Sequence, residues 1–264
     1  VLHEANRVPG KAIRRFASLA KWIYLPDGVV LPVTRRVPFR SAGAPLREEI
    51  RHIFKAEVRP QFGLSANAKL LVVFGGSQGA QSLNQWVEAN RDRLVAEAVN
   101  VYHITGPGKG EANEVSFLSS KGKPVKMWTV PFCDEVGAVL SAADLVVSRA
   151  GAGSLAEMIE CLAPAVLVPY PHAADNHQTA NARYLEQRGS AIVIPEENLD
   201  RLTAEVLDLL YNDRMLDQLR SNLRQIGGRD AAEEMADDLD RIMQPPLSPV
   251  RLGRDRKAPF EKFL

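Results

Sequence analysis

From Lys69 onward the chain repeats one pattern: a short unbroken apolar run, a turn of glycine or polar residues, then apolar positions at helical spacing. Leu70–Phe74, Asn100–Ile104, Val125–Thr129, Leu145–Ser148, Ala165–Val168 and Ala191–Ile194 read as strands, and the continuous runs among them suit a parallel sheet covered on both faces. Helices are expected after Ala80, over 135–142 with Asp134 as cap, over 154–162 with Ser154 as N-cap, and from Thr179 to Gln187. Further helices are expected over 201–211, 213–226 and 230–243, the last ending before Pro245-Pro246. Upstream the runs are shorter. Val1–Arg7 reads as a strand end and polar loop, 11–20 as a helix, and Trp22–Leu25 and Val29–Val33 as the last strands of another sheet. Ser41–Pro45 reads as a linker of small residues, and a helix near 46–57 has Leu46, Ile50, Ile53 and Phe54 on one face.

Four βα turns, after residues 74, 104, 147 and 168, carry glycine or polar clusters, and parallel topology places all four on one sheet edge. In Asp144–Glu157 the Gly-Ala-Gly turn leads into a helix whose free N–H groups and dipole favour phosphate, while Glu157 offers two acceptor oxygens to paired hydroxyls. A diphosphate next to a ribose satisfies both, although an ordinary βα turn with a surface Glu fits these residues alone equally well. Gly75-Gly76-Ser77-Gln78-Gly79-Ala80 is a second candidate phosphate turn. It lacks the Lys-Ser/Thr of a P-loop and the order of a dinucleotide fingerprint, which weakens ATPase and NAD readings. GxSxG, the kinase set and HExxH are also missing. His3, Glu4 and Asn6 follow a strand end and are site candidates by position, although polar loop residues are more often simply solvated.

Composition narrows the class. The 264 residues, 45% hydrophobic and 25% charged, fit one large or two ordinary domains with a sizeable core. Cys133 and Cys161 have no metal-ligand spacing, so reduced thiols in a cytoplasmic protein and no metal are expected. The net charge of +1 gives no case for nucleic acid, yet residues 1–60 hold 12 Lys and Arg against 5 Asp and Glu, a face able to meet anionic lipid or a phosphorylated substrate. No run of 18 apolar residues or signal-peptide core is present. The chain opens on Val-Leu-His-Glu, as if a strand were already under way, so a preceding N-terminal part is expected.

Three blocks occur in order: Gly75-Gly76-Ser77-Gln78-Gly79-Ala80 with Leu83-Asn84, Arg149-Ala150-Gly151-Ala152 with Glu157, and Asp175-Asn176-His177-Gln178 with Asn181-Ala182. Together with His3-Glu4-Ala5-Asn6 they resemble the MurG family, over Val1 to about Met243. Those transferases move N-acetylglucosamine from UDP-N-acetylglucosamine to undecaprenyl-diphospho-N-acetylmuramoyl-pentapeptide in peptidoglycan synthesis. The resemblance implies an α/β fold of GT-B type: residues 1–40 as the remnant of an N-terminal Rossmann-like domain, 41–68 as linker and connecting helix, 69–228 as the UDP-sugar domain, and 229–264 as a helix and basic tail.

By motif, the resemblance implies that Ser77, Gln78 and Gly79 with their amides, and Arg149, Gly151 and Ala152, surround the diphosphate, and that Glu157 binds the ribose. It implies that Cys133 recognises uracil through its backbone, that His177 and Gln178 read the sugar hydroxyls, and that Asp175 supports their turn. Arg40, in the segment resembling the family's Gly-Asn-Pro-Val-Arg, would lie at the interdomain cleft, although Arg36-Val37 stands where the family has Gly-Asn. His3, Glu4 and Asn6 match an acceptor-side block. The glycine-rich motif with the histidine usually proposed near the reaction centre has no counterpart, so the catalytic base is expected in a missing region or a separate polypeptide. No cofactor is implied. The implied partners are the undecaprenyl-linked acceptor, an anionic membrane surface at the cytoplasmic face and other cell-wall synthesis proteins, with links to cell shape and division. Rivals are a related glycolipid glycosyltransferase, a UDP-sugar-binding half that is inactive alone, and a nonhydrolysing UDP-N-acetylglucosamine epimerase. Gly-Gly-Ser-Gln-Gly-Ala followed by Asp-x-His-Gln favours the transferase over the epimerase.

Overall fold

The computed structural model describes residues 1–31, 37–227 and 231–243. In chain order the strands are β1 (Leu2–His3), β2 (Ile23–Leu25), β3 (Phe39–Ser41), β4 (Lys69–Phe74), β5 (Val99–Ile104), β6 (Asn113–Leu118), β7 (Pro124–Val130), β8 (Leu145–Ser148), β9 (Ala165–Leu167) and β10 (Ala191–Val193). The helices are α1 (Lys11–Phe16), α2 (Lys55–Val58), α3 (Gln81–Ala96), α4 (Val136–Ala142), α5 (Ala152–Glu160), α6 (His177–Glu186), α7 (Leu202–Leu210), α8 (Asp213–Ile226) and α9 (Ala231–Met243).

Two sheets result. β1, β2 and β3 form a small parallel sheet, and the larger one has the order β10-β9-β8-β4-β5-β7-β6, parallel except for β6 against β7. The larger sheet is covered on both faces, as the unbroken apolar runs predict. Leu70, Val72 and Phe74 of β4 pack on one side with α4, α5 and α6, while Leu71 and Val73 pack on the other with α3 and α7. α9 returns to the small sheet, where Ala231 and Met235 pack against Tyr24 and Ala42. There Asp238 accepts from Arg40 at 2.8 Å and from the Tyr24 hydroxyl at 3.2 Å.

Several local expectations are corrected. The helix near 46–57 shrinks to Lys55–Val58, because 46–54 is held by tertiary bonds: Ile53 N–H donates to Ser141 Oγ, which donates to the Arg51 carbonyl. Residues 29–31 form no strand, and 32–36 lie outside the described residues, as does the basic tail. β3 occupies 39–41, where a linker start was expected. β6 was not anticipated; it is an edge strand with mostly exposed residues, so no unbroken apolar run marks it. Gly151 and not Ser154 is the N-cap of α5, and Glu135 and not Asp134 precedes α4.

Candidate functional site

Strand order reverses at β4, which pairs with β5 on one side and β8 on the other. The chain leaves β4 and β8 toward opposite sides of the sheet, and a crevice opens beyond their carboxyl ends, where open α/β sheets bind ligands. A cleft of about 910 Å³ occupies this place, at the upper end of the roughly 300–1,000 Å³ of small-molecule sites. Its walls are the turns at 75–80, 131–133 and 149–154, together with Tyr170 and Gln178.

Close packing of backbone shapes the first wall. Gly79 has φ +66°, and a Cβ there would lie 2.0 Å from the Thr105 carbonyl oxygen. Gly106, at φ +99°, meets it from the neighbouring turn. The two βα turns interlock because neither residue has a side chain.

Two helices start at this cleft without a side-chain cap. α3 has Ala80 and α5 has Gly151 at the N-cap, and neither accepts from its own first turn. The amides of 81–83 and 152–154 therefore lack helical acceptors, and both dipoles present their positive ends to the cavity. Ser154, in the first turn of α5, faces Gly76 across the gap.

Glu157 lies one turn further along α5, in the cleft wall. Burial pushes its carboxyl above the usual carboxylate range, and the nearby Arg47 charge pulls the other way. No hydrogen bond to this carboxylate is formed among the described residues, so both oxygens are available as acceptors.

Arg149 is built differently. Its guanidinium is buried and donates to Val168 O at 3.1 Å, Pro169 O at 3.3 Å, Ser82 Oγ at 2.9 Å and Glu196 Oε1 at 2.8 Å. It ties α3, the turn after β9 and the segment after β10 to the turn after β8. Burial disfavours charge on Glu196, but the Arg149 and Ser82 hydrogen bonds outweigh this and hold its carboxyl below the usual range.

Among the other expected site residues, Ser77, Gln78, Gly79, Gly151, Gln178 and Cys133 line the same cleft. Gln178 Oε1 accepts from Tyr170 N–H at 2.9 Å, closing the loop and leaving its amide donors uncommitted. The Cys133 thiol accepts from the Tyr102 hydroxyl at 3.7 Å, and burial pushes its pKa up, which leaves it a protonated, weakly reactive group. His177 opens α6 and uses Nδ1 on the Ala174 carbonyl at 2.7 Å. Asp175 and Asn176, just before it, have φ of 50° and 55°. At this turn Asp175 pairs with Arg14 at 2.6 Å, Asn176 N–H donates to the Ala173 carbonyl at 2.9 Å and Asn176 Oδ1 accepts from the Thr179 hydroxyl at 2.7 Å. Neither His177 nor Ala152 is among the residues lining the cleft.

Arg40 and the acceptor-side candidates His3, Glu4 and Asn6 also lie outside the cleft. The Arg40 guanidinium is committed to Asp238 on α9. His3 Nε2 contacts the Gly43 carbonyl at 3.2 Å. Glu4 is buried and accepts from Asn6 N–H at 2.8 Å and Gly10 N–H at 2.6 Å, and Asn6 Oδ1 accepts from Asn181 at 3.0 Å. These side chains shape the loop after β1. Of the four charged residues that line the cleft, Arg47, Arg149, Glu157 and Glu196, the first and the last were not expected there from the sequence. A signal for Arg47 was present: Gly43-Ala44-Pro45-Leu46-Arg47 keeps the Gly, Pro and Arg of the family's Gly-Asn-Pro-Val-Arg, a better match than the segment ending at Arg40. Glu196 follows a strand with no motif of its own.

A family model described as glycosyltransferase family 28 C-terminal domain matches residues 70–235. The chain belongs to this family. The family 28 match covers the larger sheet and continues into α9. Among curated relatives, one from Opitutus terrae is 45% identical over 241 residues, covering 91% of this chain and 64% of the relative. One from Carboxydothermus hydrogenoformans is 32% identical, covering 93% and 67%. Both are named UDP-N-acetylglucosamine--N-acetylmuramyl-(pentapeptide) pyrophosphoryl-undecaprenol N-acetylglucosamine transferase. The chain thus spans about two thirds of the length of these relatives. Among solved structures, Acinetobacter baumannii MurG superposes with a TM-score of 0.67 at 23% identity, covering 91% of this chain and 66% of that one. The kitacinnamycin glycotransferase superposes at 0.56 with 22% identity, covering 83% and 55%. These likenesses show the α/β fold with a parallel sheet that GT-B glycosyltransferases share.

Proposed function

We propose that the cleft binds UDP-N-acetylglucosamine and that this chain is the donor-binding part of an inverting transferase acting on undecaprenyl-linked N-acetylmuramoyl-pentapeptide, as in peptidoglycan synthesis. One observation carries the donor reading: two uncapped helix N-termini and Glu157, which has no hydrogen-bond partner among the described residues, share a single cleft where the strand order reverses. The names of the family 28 relatives supply the sugar and the acceptor.

In this reading the amides of 76–78, 81–82 and 152–154 hold the diphosphate, Gly79 N–H being spent on the Gly76 carbonyl. As the sugar–phosphate bond breaks, negative charge grows on the leaving UDP, and the preset dipoles stabilise it. Glu157 accepts from the ribose hydroxyls, and the backbone beside Cys133 reads uracil. Gln178 presents its amide to the sugar, with His177 beside it. Arg47 takes the role expected of Arg40, adding positive charge next to Glu157. Arg149 is a brace for the turns that carry the amides. The acceptor's proton is taken by a base outside the residues of this cleft.

We assign this protein to the cytoplasmic face of the membrane as a peripheral protein. Phe16 and Leu19 are exposed near Lys11 and Arg15, a combination suited to anionic headgroups. No helix among the described residues is long and apolar enough to cross a membrane. Titration calorimetry with UDP tests the donor reading: saturable binding is expected, and absence of binding overturns it.

A further inference from the structure

Loop 4–10 and the phosphate turn at 149–151 are separated by more than a hundred residues, yet one buried side chain touches both. Asn181, in the second turn of α6, is 2% exposed. Its Oδ1 accepts from Arg7 N–H at 2.8 Å. Its Nδ2 donates to Asn6 Oδ1 at 3.0 Å and to the Ala150 carbonyl at 3.1 Å. Ala150 directly precedes Gly151, the N-cap of the helix whose free amides face the cleft. On the other side, Asn6 is fixed by Glu4, whose second oxygen holds Gly10 N–H, and Gly10 is the N-cap of α1. An unbroken chain of hydrogen bonds therefore runs from the phosphate turn to the start of α1.

We propose that Asn181 is a positioning residue that couples occupancy of the donor cleft to loop 4–10 and α1 on the small-sheet side. The proposal rests on the donor reading above. Three of the four hydrogen-bonding positions of the carboxamide are used, so the group is held in one orientation. A ligand that draws the 151–154 amides toward its phosphates shifts the Ala150 carbonyl, and Asn181 carries that shift to Asn6 and Arg7. A second bond joins the same two units: Arg14 of α1 pairs with Asp175 in the turn that leads into α6. The small-sheet side is thus tied both to the phosphate turn and to the turn that leads into α6, whose second residue is Gln178. The coupling must be reciprocal: whatever UDP does to loop 4–10, a change in the loop does to UDP affinity.

Amide hydrogen exchange of the intact 264-residue chain, with and without saturating UDP, reads the coupling at one atom, because the Arg7 N–H is bonded directly to Asn181. Saturating UDP is expected to slow exchange of Arg7 by about five-fold or more. Gly10 N–H, bonded to Glu4, should slow as well, and Asn181→Ala, which leaves that bond untouched, should abolish this second response. Asn6→Ala leaves every cleft residue in place and tests the reciprocal direction: it should weaken UDP binding by a factor equal to the exchange response lost in that variant, and should add nothing in the Asn181→Ala background. If UDP binds and Arg7 exchange is unchanged, or if Asn6→Ala leaves affinity unaltered, the coupling is overturned while the donor site stands. If the unmodified chain binds no UDP, the donor reading itself fails and the coupling with it.

Discussion

Glu157 and Arg149 both sit at the Asp144–Glu157 stretch, but their environments separate their roles. Glu157 is left without a hydrogen-bond partner among the described residues, whereas Arg149 spends its donors on four protein acceptors. On the proposed donor reading Glu157 holds the ribose through two charge-assisted bonds, so Glu157→Ala should weaken UDP affinity by about ten- to a hundred-fold with little loss of stability, as read by calorimetry and thermal melting. The carboxyl titrates above the ordinary range because it is buried, and protonation removes acceptor capacity. UDP affinity should therefore fall as pH drops through that raised pKa, with a weaker dependence in Glu157→Gln. Gly79→Ala is expected to damage stability and binding together. Its methyl group would meet the Thr105 carbonyl at a distance no real contact allows, so a cost of about 3 kcal/mol in denaturant unfolding is anticipated.

At the scale of elements, the site depends on bonds between consecutive βα units. Arg149→Met removes the brace and leaves Glu196 without its cation. A loss of about 2–3 kcal/mol is expected, together with weaker UDP binding. A second link lies under the Gly79–Gly106 contact, where His103 on β5 contacts Asn84 of α3 at 3.0 Å and Asn84 donates to the Thr105 carbonyl. The other His103 nitrogen has no hydrogen-bond partner among the described residues, and burial lowers the imidazole pKa to about 4. The folded state thus resists protonation that the unfolded chain accepts. The stability from keeping this ring neutral is present above the unfolded value of 6.5 and is lost as pH falls toward about 4. The full difference amounts to about 3 kcal/mol. Urea midpoints between pH 7 and pH 4.5 should fall more steeply in the unaltered chain than in His103→Gln.

Across the whole molecule, α9 joins the end of the described chain to the small sheet through Met235, Asp238 and their partners. Met235→Asp puts a charge into that apolar contact and should release α9. Limited proteolysis should then cut near residue 231 much faster, while UDP binding changes little because no cleft residue is altered. The same contact explains why Arg40 lies away from the cleft. Arg40 and Arg47 each follow a proline and an apolar residue, and local sequence does not say which faces the cleft. Arg40 meets a carboxylate 198 positions away, whereas Arg47 lines the cleft near Glu157.

Local pattern determined a great deal here. Unbroken apolar runs marked the central strands, since a strand buried on both faces has no polar side to reveal, and glycine-bearing turns located the cleft edge. The same logic could not report β6, which covers a sheet edge with exposed residues, or the turns at 46–54, which Ser141 holds by tertiary bonds. Nor could it distinguish cleft side chains with no hydrogen-bond partner among the described residues from those consumed by the fold, as with Glu157 against Arg149, or Arg47 against Arg40. Strand and turn signals are set by neighbours along the chain. The state of a charge is set by burial and by partners that only the folded molecule brings within hydrogen-bonding distance.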